Sequence, residues 1–241
     1  MIEIKNLSKT YRSSGKRAVD NLSFTVDSGE IFGFLGPNGA GKSTTIKCIT
    51  GILDFEEGEI LINGANIKTQ SVEAKRKIGY VADEHFLYEG LSGRQYVNFI
   101  LDIFQVPNEV RAERINEYAS IFEMSSHLDE AISSYSHGMK QKISLIATLS
   151  HEPEVFILDE PMTGLDPEGA YNLKKLMSKL ASEGKTVFFS SHVLEVVEKI
   201  CTKVAIIDDA KLVAVCDMQE LKDNRGNLED LFLKLTEKGA N

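Results

Sequence analysis

Gly36-Pro37-Asn38-Gly39-Ala40-Gly41-Lys42-Ser43-Thr44 is the stretch from which the rest of the chain is read. It follows the pattern glycine, four residues, glycine, lysine, then serine or threonine, which chance would produce in about one chain of this length in a hundred. Each fixed residue has a physical task beside a phosphate chain. Glycines let backbone N–H groups approach the oxygens, lysine neutralises charge on the β- and γ-phosphates, and the serine hydroxyl is a hard oxygen ligand for Mg²⁺. The flanks agree with this reading. Glu30–Leu35 reads as a strand entering the loop, and Lys42–Leu53, with Ile46, Ile49 and Leu53 at helical spacing, as a helix leaving it. A helix N-terminus carries orphan N–H groups and a partial positive charge, both suited to an anion.

On the N-terminal side, Ile2–Leu7, Ala18–Val26 and Gly58–Ile67 are strand-like between polar breaks, and Asn63-Gly64 is a hairpin signal because both residues tolerate positive φ. From about His85 to Ser150 the pattern changes, with Phe99, Ile103, Ile115, Ile121, Ile143, Ile146 and Ala147 at helical intervals, which predicts a helical insert. Val155–Leu158 and Val187–Phe189, separated by the amphipathic stretch Leu173–Leu180, restore the β-α-β rhythm of a parallel sheet. Val204–Ile207 and Leu212–Val215 add strands before a polar, helical tail from about Leu221 to Asn241, to which no activity is assigned.

Val155-Phe156-Ile157-Leu158 runs directly into Asp159-Glu160, so a buried strand ends in two acids, a costly arrangement unless something cationic or polar meets them. Ligands of open α/β sheets sit at these carboxyl ends. Asp159 is therefore expected to hold Mg²⁺ through water, and Glu160 to accept a proton from an attacking water. A helix cap is the other reading of such a pair.

Gly164-Leu165-Asp166 follows Glu160 closely, and Val187-Phe188-Phe189-Ser190-Ser191-His192 ends a second strand in histidine. With the phosphate loop, this ordered series resembles the ATP-binding-cassette family over essentially the whole chain. The resemblance implies that Asp166 lies at a dimer interface, that His192 contacts the γ-phosphate and that Tyr11, in Lys9-Thr10-Tyr11, stacks on adenine. Ser136-His137-Gly138-Met139-Lys140-Gln141 resembles the family's Leu-Ser-Gly-Gly-Gln signature, with Tyr135 for Leu, His137 for the first Gly and Met139 for Gln. Ser136 and Gly138 are kept, and in the family this segment binds the nucleotide held by the other subunit. Ser136 also sits where a helix N-cap would. The chain departs from the family after Ile78-Gly79-Tyr80-Val81, where Asp83 takes the place of the usual Gln. Either Asp83 replaces the amide oxygen as a Mg²⁺ or water ligand, or the loop is shifted by one and Glu84 does so; Asp83 is favoured.

These readings predict an α/β fold: a phosphate-loop NTPase core with a mainly parallel sheet, an N-terminal antiparallel β subdomain and a helical subdomain. One domain is expected over residues 1–241, with approximate divisions at 1–83, 84–150, 151–220 and 221–241. The resemblance implies an ATPase with ATP and Mg²⁺ as its ligands, working as a homodimer or with a paired cassette subunit. Its further partner would be a separate transmembrane permease. The versions at Tyr135–Lys142 and Leu87–Arg94 resemble exporters more than importers. A soluble cassette ATPase of iron–sulfur assembly, ribosome or DNA is the rival class, and intact Lys42, Asp159, Glu160 and His192 argue against a regulator that binds ATP without cleaving it. The balance of 27 basic against 36 acidic residues, net −9, disfavours nucleic acid as a partner. Apolar runs fall far short of the ~20 residues of a membrane span, and Cys48, Cys201 and Cys216 lack metal or disulfide spacing. A cytoplasmic protein, peripheral on the inner face of the cell membrane through its partner, is expected.

Overall fold

Two strands, β1 (Ile2–Tyr11) and β2 (Lys16–Val26), pair antiparallel at the start of the chain and bury Ile2, Ile4, Val19, Leu22, Phe24 and Val26 on one side. The structure is a computed structural model that describes residues 1–84, 87–223 and 226–236; the expected helical insert and tail therefore fall partly outside the described residues, at 85–86, 224–225 and 237–241. β3 (Ile31–Leu35) leaves the first sheet and α1 (Lys42–Ile49) follows it. β4 (Glu57–Ile62) returns to pair with β1, and β5 (Ala65–Asn66) closes a hairpin on it. Asn63 and Gly64 make that turn with φ of 44° and 80°, as the Asn-Gly pair predicts.

After α2 (Ser71–Arg76) the chain returns at β6 (Ile78–Val81) to the second sheet, to which β3 already belongs. It then passes through α3 (Gly93–Ile103), α4 (Asn108–Ile121), a single 3₁₀ turn at Ile132–Ser134 and α5 (His137–Ser150). The sheet resumes at β7 (Val155–Leu158), crosses over by α6 (Pro167–Ser182) to β8 (Thr186–Ser191), and continues by α7 (Leu194–Ile200) to β9 (Lys203–Asp208) and β10 (Lys211–Asp217). α8 (Met218–Asp223) and α9 (Leu228–Thr236) end the described chain. The strand order is β10-β9-β3-β8-β7-β6, parallel except for the β9–β10 hairpin.

Strand period two divides the core. Phe32, Phe34, Ile157, Phe188 and Ala205 face the first sheet and α1, while Leu35, Phe156, Leu158, Phe189 and Ile206 face the helices of the opposite layer. Phe24, Phe32 and Phe188 stack nearly parallel between the two sheets, with centroids 5.4 to 6.1 Å apart.

The sequence reading needs three corrections here. α1 stops at Ile49 rather than Leu53, because the Thr50 hydroxyl bonds back to Ile46 O and Gly51 turns left-handed at φ 66°. α2 and α7 were not anticipated; six and seven residues long, with Ala74 and Val197 as their only buried residues, they are too short for periodicity to register. Phe99 and Ile103 lie on α3 as expected but are 38% and 57% exposed, the helix being held instead by Val97 and Leu101. Cys48 and Cys201 are buried free thiols and Cys216 is half-buried.

Candidate active site at the strand ends

The loop after β3 opens α1 with Gly41 as N-cap, with no side-chain cap and no acidic residue in the first turn. The helix thus offers its N-terminal N–H groups to an external acceptor. Gly41 must be glycine: its φ is 108°, and a Cβ would stand 2.3 Å from Ala18 O. Lys42 is 6% exposed and lies across the loop, donating to Gly36 O at 2.6 Å and Pro37 O at 3.3 Å, with Glu160 Oε1 at 3.5 Å. A cleft of about 270 Å³ lies above it, lined by Pro37, Asn38, Gly39, Gly41, Lys42, Ser43 and Thr44, by Tyr11 and Lys16 on the first sheet, and by Asp83 and Glu160 opposite. Gly36 and Ala40 belong to the loop but do not line the cleft. Tyr11 is fixed by its hydroxyl, 3.2 Å from Thr44 Oγ1.

Parallel register assembles the rest. Leu158 pairs with Phe189 and Leu35 with Ser191, so Asp159, Glu160 and His192 emerge at the same sheet edge as the phosphate loop, and Asp83 emerges beyond β6 on the far side of β7. Asp159 is 2% exposed; its N–H donates to Val81 O, and its Oδ1 accepts from Ser190 Oγ at 2.6 Å. The next residue turns left-handed, Glu160 at φ 47°, with its N–H donating to the same Ser190 hydroxyl at 2.9 Å. This turn sends the Glu160 carboxylate back between two cations or donors, with Oε1 near Lys42 and Oε2 2.9 Å from His192 Nδ1.

Asp83 reaches this acidic edge. Partial burial first, and then the charges of Asp159, Glu160 and Glu84, raise its carboxyl above the ordinary value, although solvent still touches it. Burial, then Asp159 and Asp83, likewise push the Tyr80 hydroxyl up. Of the two alternatives, Asp83 lines the cleft and Glu84 does not. The donor chemistry suits Mg²⁺, since Ser43 hydroxyl, Asp159 carboxylate and Asp83 carboxylate are all hard oxygens; among the described residues no three or more His, Cys, Asp or Glu side chains are grouped to hold a metal ion by themselves.

Ser136, Gly138 and Asp166 lie outside this cleft. Ser136 caps α5, accepting from Met139 N, and Asp166 caps α6, accepting from Gly169 N at 2.8 Å. Both side chains are exposed. Gly138 packs so closely on Gly164 that a Cβ would meet its carbonyl oxygen at 2.7 Å, which locks the signature turn to the loop before Asp166. Lys142 Nζ donates to Asp166 Oδ2 at 2.9 Å and, with the Gly169 N–H, holds that carboxyl below its usual range. Lys140 Nζ meets Glu89 Oε1 at 2.5 Å, tying α5 to the segment before α3. Ser190, Lys16 and Lys142 are the residues that sequence reasoning missed. Ser190 and Lys142 lie within segments quoted for other residues and Lys16 lies beside no motif; the polar break Ser190-Ser191 at the end of a buried strand was the signal for the first.

Exposed apolar side chains gather on another face. Leu87, Tyr88, Leu91 and Phe99 line a groove of about 970 Å³, where Tyr88 and Phe99 meet edge to face at 5.3 Å; Ile103 and Ile52 are also exposed, at 57% and 61%. Among the described residues no helix is long and apolar enough to cross a membrane.

The family model described as ABC transporter matches residues 19–163. The linearmycin resistance ATP-binding protein LnrL of Bacillus subtilis (strain 168) is 34% identical over 100% of this chain and 76% of its own length. The methionine import ATP-binding protein MetN 1 of Listeria innocua serovar 6a is 34% identical over 97% of this chain and 68% of its own length. Among solved structures, one described as the ATP binding subunit of an ABC transporter superposes with a TM-score of 0.91 at 28% identity, covering 98% of this chain and 99% of that one.

Proposed function

The chain belongs to the ABC transporter family, as an ATP-binding cassette with ATPase activity, and we propose that two copies hydrolyse ATP at a head-to-tail interface to drive export through a separate membrane subunit. One observation carries the reading: Lys42 and Glu160 line one cleft, with His192 hydrogen-bonded to Glu160 and Asp159 at the same strand end, while Ser136 and Asp166 present exposed caps elsewhere on the same chain, with Gly138 beside Ser136. A second copy, turned to face the first, would bring those caps to the cleft and complete it.

Within that cleft the loop N–H groups and Lys42 hold the phosphates, and Tyr11 supports the adenine. Ser43, Asp159 and Asp83 would hold Mg²⁺, whose contribution when bound is charge neutralisation on the phosphate oxygens. Glu160 accepts the proton of the attacking water on its carboxylate, and His192, hydrogen-bonded to Oε2, holds that carboxylate in place and faces the γ-phosphate.

The membrane subunit docks in the apolar groove of Tyr88, Leu91 and Phe99. This contact would place the cassette on the inner face of the membrane. An apolar patch of this kind is a usual mark of a protein contact. Export is read from Tyr135–Lys142 and Leu87–Arg94. The relative named for linearmycin resistance carries no direction in its name and the one named for methionine import points the other way, so directed flux in vesicles decides it.

Melting with and without Mg-ATP tests the site. At a hundredfold excess over Kd, ligand should stabilise the wild type by about 2.7 kcal/mol, and Lys42→Ala should lose that shift and its turnover. Purification from solubilised membranes tests the partner: the wild type should retain a membrane protein, and Phe99→Glu should release it. A melting curve unmoved by Mg-ATP would overturn the nucleotide site, and the absence of any membrane protein would overturn the transport role.

A further inference from the structure

Ser190 stands two residues before His192, with 0% exposure, and its hydroxyl is shared between two acidic residues of another strand end. We infer that Ser190 is a positioning residue for hydrolysis, its hydroxyl setting at once the plane of the Asp159 carboxylate and the turn that aims Glu160. The inference rests on the proposed roles of Asp159 as a metal-holding group and Glu160 as the proton acceptor.

The geometry uses the hydroxyl fully. A serine has one O–H to donate and lone pairs to accept; here the O–H goes to Asp159 Oδ1 at 2.6 Å, and a lone pair takes the Glu160 N–H at 2.9 Å. The first bond fixes one oxygen of a carboxylate that is 2% exposed, and so fixes where its other oxygen points. The second holds the backbone of Glu160 at φ 47°, a left-handed conformation uncommon for any residue other than glycine. It is this turn that returns the Glu160 carboxylate toward Lys42 and His192. The neighbouring serine is used differently: Ser191 Oγ accepts from Val193 N, within its own loop. β8, whose interior is Val187, Phe188 and Phe189, therefore carries near its end a hydroxyl that couples it to the acids following β7.

A purely structural serine would satisfy the same two groups without affecting metal or chemistry, and two substitutions separate the cases. Ser190→Thr keeps the hydroxyl and Ser190→Val removes it, while the two replacements share size and β-branching, so any cost of fitting a larger residue is common to both. Each full-length variant is measured for ATP affinity across a Mg²⁺ titration, read by melting, and for kcat and KM.

Loss of a hydrogen bond to a charged group predicts for Ser190→Val a fall in kcat of about tenfold to hundredfold. The Mg²⁺ needed for half-maximal stabilisation by ATP should rise about tenfold by the same conversion, while KM and metal-free ATP affinity stay close to those of Ser190→Thr. Equal Mg²⁺ dependence and equal kcat in the two variants would overturn the positioning role. Should Ser190→Val not fold, Ser190→Ala is compared with wild type in the same readouts and with the same expectations. Asp159→Asn and Glu160→Gln distinguish the levels of failure. If both are impaired while the Thr and Val variants match, only the role of Ser190 falls. If neither is impaired, the proposed roles of the acids fall and this inference falls with them.

Discussion

Asp83 brings a fourth carboxylate to an edge that already holds Asp159, Glu160 and Glu84, and burial first, then this crowding, raises its protonation range. An amide in its place would offer a similar oxygen without the charge. At ~4 Å two like charges repel by about 4 kcal/mol at an effective dielectric of 20, so a carboxylate here should penalise bare ATP and reward ATP with its metal. Asp83→Asn is therefore expected to improve metal-free ATP binding and to weaken the dependence on Mg²⁺. ATP affinity measured with and without Mg²⁺ in both proteins checks this; the same metal dependence in each would place Asp83 outside the coordination shell and direct attention to Glu84. At this scale the sequence was most legible where chemistry fixes spacing. A loop that must wrap a phosphate chain cannot vary its glycines or Lys42, and an acid pair at the end of an apolar strand is conspicuous for its desolvation cost. Ser190 carried no such mark, because its partners lie 30 and 31 residues away in the chain and meet it only through parallel register.

α5 shows what periodicity can and cannot reveal about an element. Its capped start at Ser136 and its apolar positions were readable, but from Gln141 to Ser150 every residue is buried, so the helix has no solvent face for an amphipathic pattern to display. α3 errs in the opposite way: Phe99 and Ile103 are apolar at helical spacing and yet face outward, since spacing says which residues share a face and not what covers it. α5 ends at Ser150 with His151 as its C-cap, whose ring stacks on Phe104 with centroids 3.7 Å apart. Burial, aided by the charges of Lys185 and Arg114, lowers this imidazole from 6.5 to about 4. The neutral ring is the form the fold accepts, so its stabilisation is complete above pH 6.5 and is lost as pH falls from there toward 4. The loss should reach on the order of 2 kcal/mol by pH 5. Urea unfolding at pH 7 and pH 5 measures it, with His151→Gln, neutral throughout, expected to flatten the difference; equal slopes in the two proteins would show that His151 is not the group responsible.

Across the whole molecule, sheet order turns separate motifs into one edge. The order β10-β9-β3-β8-β7-β6 is not written in any local stretch, yet it sets residues 36, 159 and 192 side by side and leaves Ser136 and Gly138 of the signature segment outside the lining of their own chain's cleft. Ser136 and Asp166 are fixed by caps, and Lys142 and the close contact of Gly138 with Gly164 join them into one rigid surface, which suits groups that must meet a ligand carried by another molecule. Glu160→Gln preserves the size and hydrogen bonding of the side chain but removes proton acceptance, so ATP should remain uncleaved and hold two such surfaces together. Size-exclusion chromatography of Glu160→Gln should then show a monomer without nucleotide and a dimer with ATP. Adding Ser136→Arg places a long charged side chain where the γ-phosphate would meet the cap, and it should return the ATP-bound protein to monomer, at a cost in stability without nucleotide of about 1 kcal/mol for the lost helix cap. A dimer that persists in the double variant would mean that the two chains associate through some other face, and that the exposed caps of α5 and α6 serve only their own helices.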